Sequence, residues 1–387
     1  MNRGKAVFAQ LLAQVPFSHF EHLVDVYQAN KGIRHFSAWN QFLCLMYAQL
    51  TRRSGLRDLV ACLNAQRSRL YHIGLRGPVT RSTLADANER RDYRLFEALG
   101  QRLIASALTL YEDADLGLGL SGPVYALDST TIDLCLSLFP WADFRQTKAA
   151  IKAHVLLDLR AAIPVFVSLT SGKVHDVKIL DQLTLPTGSL LVADRAYLDF
   201  KRLYRLNSLS VGFVLRTKAN TLTQVCGHRP ILDQPGVVSD QMVMLVTPLS
   251  LVGYPDPLRR VVFVDPESAK ELVFLTNRFD LAATTIARLY KHRWQIELFF
   301  KWLKQNLAVK HFFGNSVNAV KSQIWCAICA YLVVLITIRR LHLPVSPQIL
   351  LHLIETNIFE KISLDQLVNN AISGDYEPDV ANQLILL

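Results

Sequence analysis

The sequence predicts a mixed α/β protein with an all-helical segment ahead of its sheet. Three observations carry this. Apolar residues recur at three- and four-residue spacing through residues 1–111. From Val124 onward, β-branched runs are separated by short turns. A long helical pattern, Thr284 to Leu307, then follows the strands.

In the N-terminal segment the helical pattern is clearest in VFAQLLAQV, WNQFLCLMYAQL and LFEALGQRLIASALTLY. Ser37 is the expected N-cap of the second. Ser54-Gly55 and Gly77-Pro78 break the chain. After them, Ser82 or Thr83 is expected to cap a long helix carrying Arg90, Arg91 and Arg94, with Arg81 just before it. Short helices with arginines around the turns suit a helix-turn-helix-like DNA-binding module, and they equally suit a bundle with a solvated basic face. Residues 112–122, acidic and Gly-rich, read as a linker.

The strands come next: residues 124–136, 150–159 and 163–172, an antiparallel meander by their short connections. Then HDVKILDQL reads as a helix, SLLVAD as a strand, LDFKRLYRLN as a helix and VGFVLRTKA as a strand. This β-β-β-α-β-α-β order is that of the ribonuclease H-like fold, which by itself says nothing about chemistry. Residues 220–277 break the order with further strands and read as a β-rich insertion. The expected domains are therefore 1–111, 120–341 with the insertion at about 220–277, and a helical tail over 342–387.

The chain has 387 residues, 51% hydrophobic and 19% charged, which argues against disorder. Its net charge of +10 biases it towards polyanions. Residues 1–110 hold 15 Lys/Arg against 7 Asp/Glu, and 341–387 hold one Lys against six acids. The six cysteines are scattered in apolar surroundings and read as buried, reduced thiols. Cys326 and Cys329 form a C-x-x-C without a second pair of ligands nearby, so packing is expected, not zinc. The N-terminus lacks a cleavage site, and the run Ile324–Ile338 is shorter than the ~20 residues of a membrane span. A soluble, cytoplasmic protein is expected.

The candidate chemistry begins on the helix at 284–307. At about 100° per residue, Tyr290, Arg293, Glu297, Lys301 and Lys304 share an arc of about 80°. Apolar side chains cover most of the rest, so this charged stripe is expected to face an anion from a helix wrapped by core. A salt-bridge ladder is the bland alternative, since Arg293–Glu297 and Glu297–Lys301 are both i,i+4 pairs. On the strands, alternation puts Asp128 and Asp133 on opposite faces, with Asp128 on the face of Val124 and Ala126. Asp194 ends a strand, a favoured place for functional groups, and also a place for a turn cap.

Together, Asp128, the block Asp194-Arg195-Ala196-Tyr197 and the run Tyr290-x2-Arg293-x3-Glu297-x6-Lys304 resemble the three signature blocks of the insertion-sequence-four group of DDE transposases, with its YREK motif. The resemblance spans roughly 120–341, and the spacing on the last helix is specific. The N-terminal block is similar to a domain in one branch of that group. The resemblance implies a transposase that binds the terminal inverted repeats of an insertion sequence, cleaves double-stranded DNA and transfers the strand. It implies Asp128, Asp194 and Glu297 as ligands of two Mg²⁺ ions, with Mn²⁺ able to substitute. Tyr290, Arg293 and Lys304 would contact DNA phosphates, with Lys301 joining them, and a homodimer would assemble on DNA without a membrane. Arg81, Arg90 and Arg91 are further DNA-contact candidates. Residues 220–277 hold no Trp, leaving Tyr254, Phe263 and Phe274 as candidate platforms for an unstacked base. His175-Asp176 resembles a recurring feature of the group, and a turn role remains open. A nuclease that does not join strands, and a DNA-binding remnant without activity, are the competing readings.

Overall fold

The structure is a computed structural model and describes residues 4–75, 77–135, 137–145, 148–217, 221–231, 234–306 and 312–372. Its strands are β1 (Val124–Leu134), β2 (Asp143–Arg145), β3 (Lys148–Asp158), β4 (Ile163–Ser171), β5 (Leu190–Ala193), β6 (Gly212–Arg216), β7 (Thr223–His228), β8 (Val237–Leu245), β9 (Leu258–Val264) and β10 (Glu271–Thr276). The chain divides into two compact units. One gathers the described residues of Met1–Asp113, Ile132–Ala150 and Lys301–Leu386; the other holds Ala114–Thr131 and Ile151–Phe300.

The second unit is mixed α/β. Its strands lie in the order β3-β1-β5-β6-β10-β9-β8-β7, with β4 paired to β3. β1, β5 and β6 run parallel. β3 and β4 are antiparallel, as their short connection predicts. The parallel strands read as continuous apolar runs, and β5 is buried along its whole length. One face of the sheet packs Leu127, Leu191, Phe213 and Leu275 against Leu203 and Leu206 of the amphipathic helix Phe200–Ser208.

The expected β-rich insertion is an extension of this sheet. β10 returns antiparallel to the edge of β6, with Leu275 opposite Leu215, and β9, β8 and β7 follow antiparallel beyond it. Backbone pairing to an open edge satisfies β6, which a separate sheet would have left bare. The insertion also includes a short helix, Pro248–Gly253, where only strands were expected. Thr247 caps that helix and Pro248 opens it, so local signals override the apolar run. The segment expected as a helix at 175–183 is a 3₁₀ turn, Asp176–Asp181.

The first unit is built around the 25-residue helix Val317–Leu341, whose side chains from Val320 to Thr337 are almost all buried. By length and composition this helix could cross a membrane, longer than the apolar run at its centre suggested. In this fold 78% of that apolar window is inside the protein. Arg94–Leu110 packs against it, and Gly100 is what allows the approach: a Cβ there would lie 2.8 Å from the Trp325 ring. Ser37 caps Ala38–Leu50 as expected, accepting from Asn40 N at 3.2 Å. The next cap is Thr80, not Ser82 or Thr83, and the expected long helix is two: Arg81–Arg90 and Arg94–Leu110. Arg91 is extended between them, and Asp92 accepts from Arg94 N at 2.9 Å to start the second.

Cys44, Cys326 and Cys329 are buried free thiols, as packing predicts; Cys62 is half-buried, and Cys135 and Cys226 are exposed, against expectation. Cys226 sits on the outer strand β7, none of whose residues is buried. The tail forms helices Pro347–Asn357 and Leu364–Ile372, and residues 373–387 lie outside the described residues.

Candidate active site

Register brings the first two acids together. β1 and β5 are parallel with Val124 opposite Leu190 and Leu127 opposite Ala193. The next residue of each segment is an aspartate: Asp128, midway along β1, and Asp194, just past the end of β5, continue from neighbouring positions of this register. Asp194 also accepts from Arg195 N at 2.7 Å as the cap of the 3₁₀ turn Arg195–Tyr197. Asp194 therefore fills the turn-cap role.

The third acid arrives from the helical segment. It is two helices, Ala283–His292 and Trp294–Asn306, where one continuous helix was expected. At the junction Arg293 N donates to Tyr290 O at 3.1 Å and Ile296 N to Arg293 O at 3.1 Å, a local tightening of the turn. The tightening coincides with the residue that links the acids. Arg293 Nη1 is 3.3 Å from Asp128 Oδ2, and its Nη2 is 2.6 Å from Glu297 Oε1. The guanidinium also stacks 5.3 Å from the centre of the Tyr290 ring. Tyr290 donates to Asp194 Oδ1 at 3.4 Å and packs against Phe274. Asp128, Asp194, Glu297, Tyr290 and Arg293 thus form one cluster.

Electrostatics inside the cluster are uneven. Burial is the largest influence on Asp128 and, with Glu297 and Asp194 adding to it, outweighs the Ser129 amide and Arg293 and pushes its carboxyl up to about 6. Burial pulls Arg293 down, but Tyr290, Glu297 and Asp128 outweigh it and hold the guanidinium above its ordinary value. Arg293 Nε is buried without a hydrogen-bond partner. Among the described residues no group of three His, Cys, Asp or Glu side chains is closed into a coordination set. One guanidinium stands between Asp128 and Glu297 and takes an oxygen of each.

A second polar layer was not anticipated. Ser129 donates its main-chain N–H to Asp128 Oδ1 at 2.8 Å and its hydroxyl to Asp176 Oδ1 at 2.5 Å. Lys152 Nζ lies 3.3 Å from the same Asp176 oxygen, and His154 Nδ1 3.6 Å from it. The hydroxyl of Thr170 donates to Ser171 O, so it accepts from His154 Nε2 at 3.0 Å, and Nδ1 is left as an unpartnered acceptor. Burial drags His154 down to about 4, so the ring is neutral at pH 7. The Tyr197 hydroxyl is also buried without a partner; burial, with Asp128, Asp176 and Asp194 around it, pushes its titration up. A signal existed for two of these residues: Lys152 and His154 alternate on one face of the apolar strand β3.

The remaining candidates fall differently. Lys301 and Lys304 are exposed on the later turns of Trp294–Asn306. That helix is not wrapped by core as the stripe suggested, because Trp294 and Leu298 are 44% and 43% exposed. Arg81 and Arg90 are exposed in the first unit. Arg91 is not available to DNA: it is 6% exposed, donates to Ala29 O at 3.0 Å, to Gln41 Oε1 at 3.1 Å and to Phe36 O, and serves as an internal staple. Tyr254 and Phe274 are buried and Phe263 is half-buried, so core packing removes the first two as base platforms.

A family model described as a transposase DDE domain matches residues 119–333, and one for a domain of unknown function (DUF4372) matches residues 3–76. A protein of Sinorhizobium fredii named as a transposase is 32% identical over 269 residues, 68% of this chain and 73% of the relative. One named as the transposase for insertion sequence element IS5377 of Geobacillus stearothermophilus is 34% identical over 210 residues, 54% of this chain and 55% of the relative. One named for insertion sequence element IS4SA of Synechocystis is 26% identical over 274 residues, 70% of this chain and 75% of the relative. The matched domain covers more than half of the chain and contains all five clustered residues, and the chain belongs to the DDE transposases, enzymes that cleave DNA and transfer its strands.

Proposed function

We propose that this transposase binds the terminal inverted repeats of its insertion sequence and cuts and joins them in a metal-dependent reaction on a ribonuclease H-like sheet. The observation that supports this most is the pairing of Asp128 and Asp194 on adjacent parallel strands, with Glu297 tied to Asp128 through Arg293.

The donor set fits a hard divalent cation. Carboxylate oxygens are what Mg²⁺ or Mn²⁺ prefers, with water and phosphate oxygens completing the shell. Burial raises the Asp128 carboxyl most, with Glu297 and Asp194 adding to it, and a bound cation would offset both. When bound, two such ions would acidify the attacking water or 3′-hydroxyl and stabilise the leaving oxygen. Asp128, Asp194 and Glu297 would hold them. Tyr290, Arg293 and Lys304 would hold the phosphates, with Lys301 beside them, Arg293 giving up its carboxylates for phosphate oxygens. Arg81 and Arg90, exposed on the first unit, would be further DNA contacts, and a homodimer would pair the two ends. A strand-transfer assay with labelled ends tests the reading: cleaved and joined products are expected with Mg²⁺, and cleavage without joining would make the protein a nuclease instead.

Two further results are expected. Lys304 is exposed and free to meet a phosphate, so Lys304→Ala weakens DNA binding and lowers the slope of log K against log salt by about 1. An unchanged slope removes Lys304 from the interface. The second concerns pH. Between the ordinary carboxylate range and about 6, the folded protein keeps a proton on Asp128 that the unfolded chain has released. More protons are bound folded than unfolded, so stability of the metal-free protein falls as pH rises through that window. Divalent cations compete with that proton, so metal uptake strengthens over the same range. Thermal unfolding in chelator at pH 4.5 and pH 7, wild type against Asp128→Asn, isolates the effect. The wild type loses more on going to pH 7; equal losses contradict the shift.

A further inference from the structure

Asp176 lies outside the three acids, yet its carboxylate reaches one of them through a single residue. Ser129 follows Asp128 on β1, and its two polar groups point to two different carboxylates. The main-chain N–H donates to Asp128 Oδ1 at 2.8 Å and the hydroxyl to Asp176 Oδ1 at 2.5 Å. Asp176 is itself anchored. Lys152 Nζ, only 14% exposed, sits 3.3 Å from that oxygen and donates onward to Val174 O at 3.1 Å. Ser129 comes from β1, Lys152 from β3 and Asp176 from the turn after β4, so three separate pieces of chain meet at the Asp176 carboxylate.

We propose that Asp176 is a positioning residue for Asp128, acting through Ser129, with Lys152 as the cation that holds it. The role assigned to Asp176 is not that of a metal ligand, because its Oδ1 already serves a hydroxyl and an ammonium. Neutralised by Lys152, it adds no repulsion to the acids beside it. The hydroxyl–carboxylate bond fixes the orientation of the Ser129 peptide, and that peptide fixes which way the Asp128 carboxylate points. Partners of this kind typically change metal affinity by about 10–100-fold when removed. This rests on the reading of Asp128 as a metal ligand.

The test is Mn²⁺ binding by the full-length protein on duplex DNA, read by electron paramagnetic resonance with the DNA-only signal subtracted. Ser129→Ala and Asp176→Ala are each expected to weaken Mn²⁺ binding by about tenfold or more. The double variant should be no weaker than the worse single one, because both cut the same path. Asp176→Asn keeps an oxygen for the Ser129 hydroxyl and should recover most of the affinity. DNA affinity without metal should not move in any of them. Should Asp176→Ala fail to fold, Ser129→Ala alone decides, since it removes one oxygen atom. Unchanged Mn²⁺ binding in Ser129→Ala overturns the proposal, as do additive losses or an Asp176→Asn variant as weak as Asp176→Ala. Asp128→Ala separates this from the wider reading: if it still binds Mn²⁺ like the wild type, the metal site itself is refuted along with the relay.

Discussion

Glu297→Gln is expected to lower DNA cleavage by at least about a thousandfold, since metal-borne charge stabilisation supplies several kcal/mol and each 1.36 kcal/mol is a factor of ten. DNA binding should survive. The substitution is nearly isosteric, the Glu297 side chain is 34% exposed, and Arg293 keeps its contact with Asp128 at 3.3 Å. A folding defect is therefore not the expected cause of any loss. Asp128→Ala and Asp194→Ala should behave alike, with the difference that Asp128→Ala leaves Arg293 half-partnered. A gel assay on labelled ends, run beside a binding assay, reads both quantities. Retained cleavage in any one variant removes that residue from the chemistry.

The second large effect is on stability and lies in the strands beyond β6. Asp240 on β8 and Arg259 on β9 are each 1% exposed and joined by two bonds, Nε to Oδ1 at 2.8 Å and Nη2 to Oδ2 at 2.6 Å. The remaining donor of Arg259 goes to the carbonyls of Arg278 and Leu281, at 2.9 and 2.6 Å, just before the helix that carries Tyr290. Asp240→Ala strands a buried charge and Arg259→Ala leaves Asp240 only the more exposed Arg229 at 3.7 Å, so either should cost about 3–5 kcal/mol in denaturant unfolding. An apolar pair, Asp240→Leu with Arg259→Met, should recover much of that loss, because the cost lies in the unpaired charge and not in the missing bond. Single variants costing under about 1 kcal/mol would mean that water reaches the pair.

Much of the site was legible because its parts obey local rules. Asp128 and Asp194 end apolar runs of the kind that fill a parallel sheet, and Tyr290, Arg293 and Glu297 follow helical spacing. The sheet register then needs only one residue of continuation to set the two aspartates side by side. What failed was of another kind. The tight turn at Arg293 has no sequence signature, since both halves have good helical residues. Arg91 looked like a DNA contact because charge is readable and burial is not; its fate depends on Ala29, Phe36 and Gln41, far away in the chain. The exposure of Trp294 and Leu298 is likewise set by what packs against the helix, which periodicity cannot supply. Asp176 stood out for a resemblance and for its place in a turn, but its link to Asp128 was not legible, because its partners Ser129 and Lys152 come from different strands.

Calorimetric titration of Mn²⁺ into the full-length protein on duplex DNA, wild type against the combined Asp128→Ala, Asp194→Ala and Glu297→Gln variant, bears most directly on the three-acid centre. The wild type should take up two ions and the combined variant none beyond the DNA background. Equal uptake by both proteins would contradict the assignment of these acids to a metal centre.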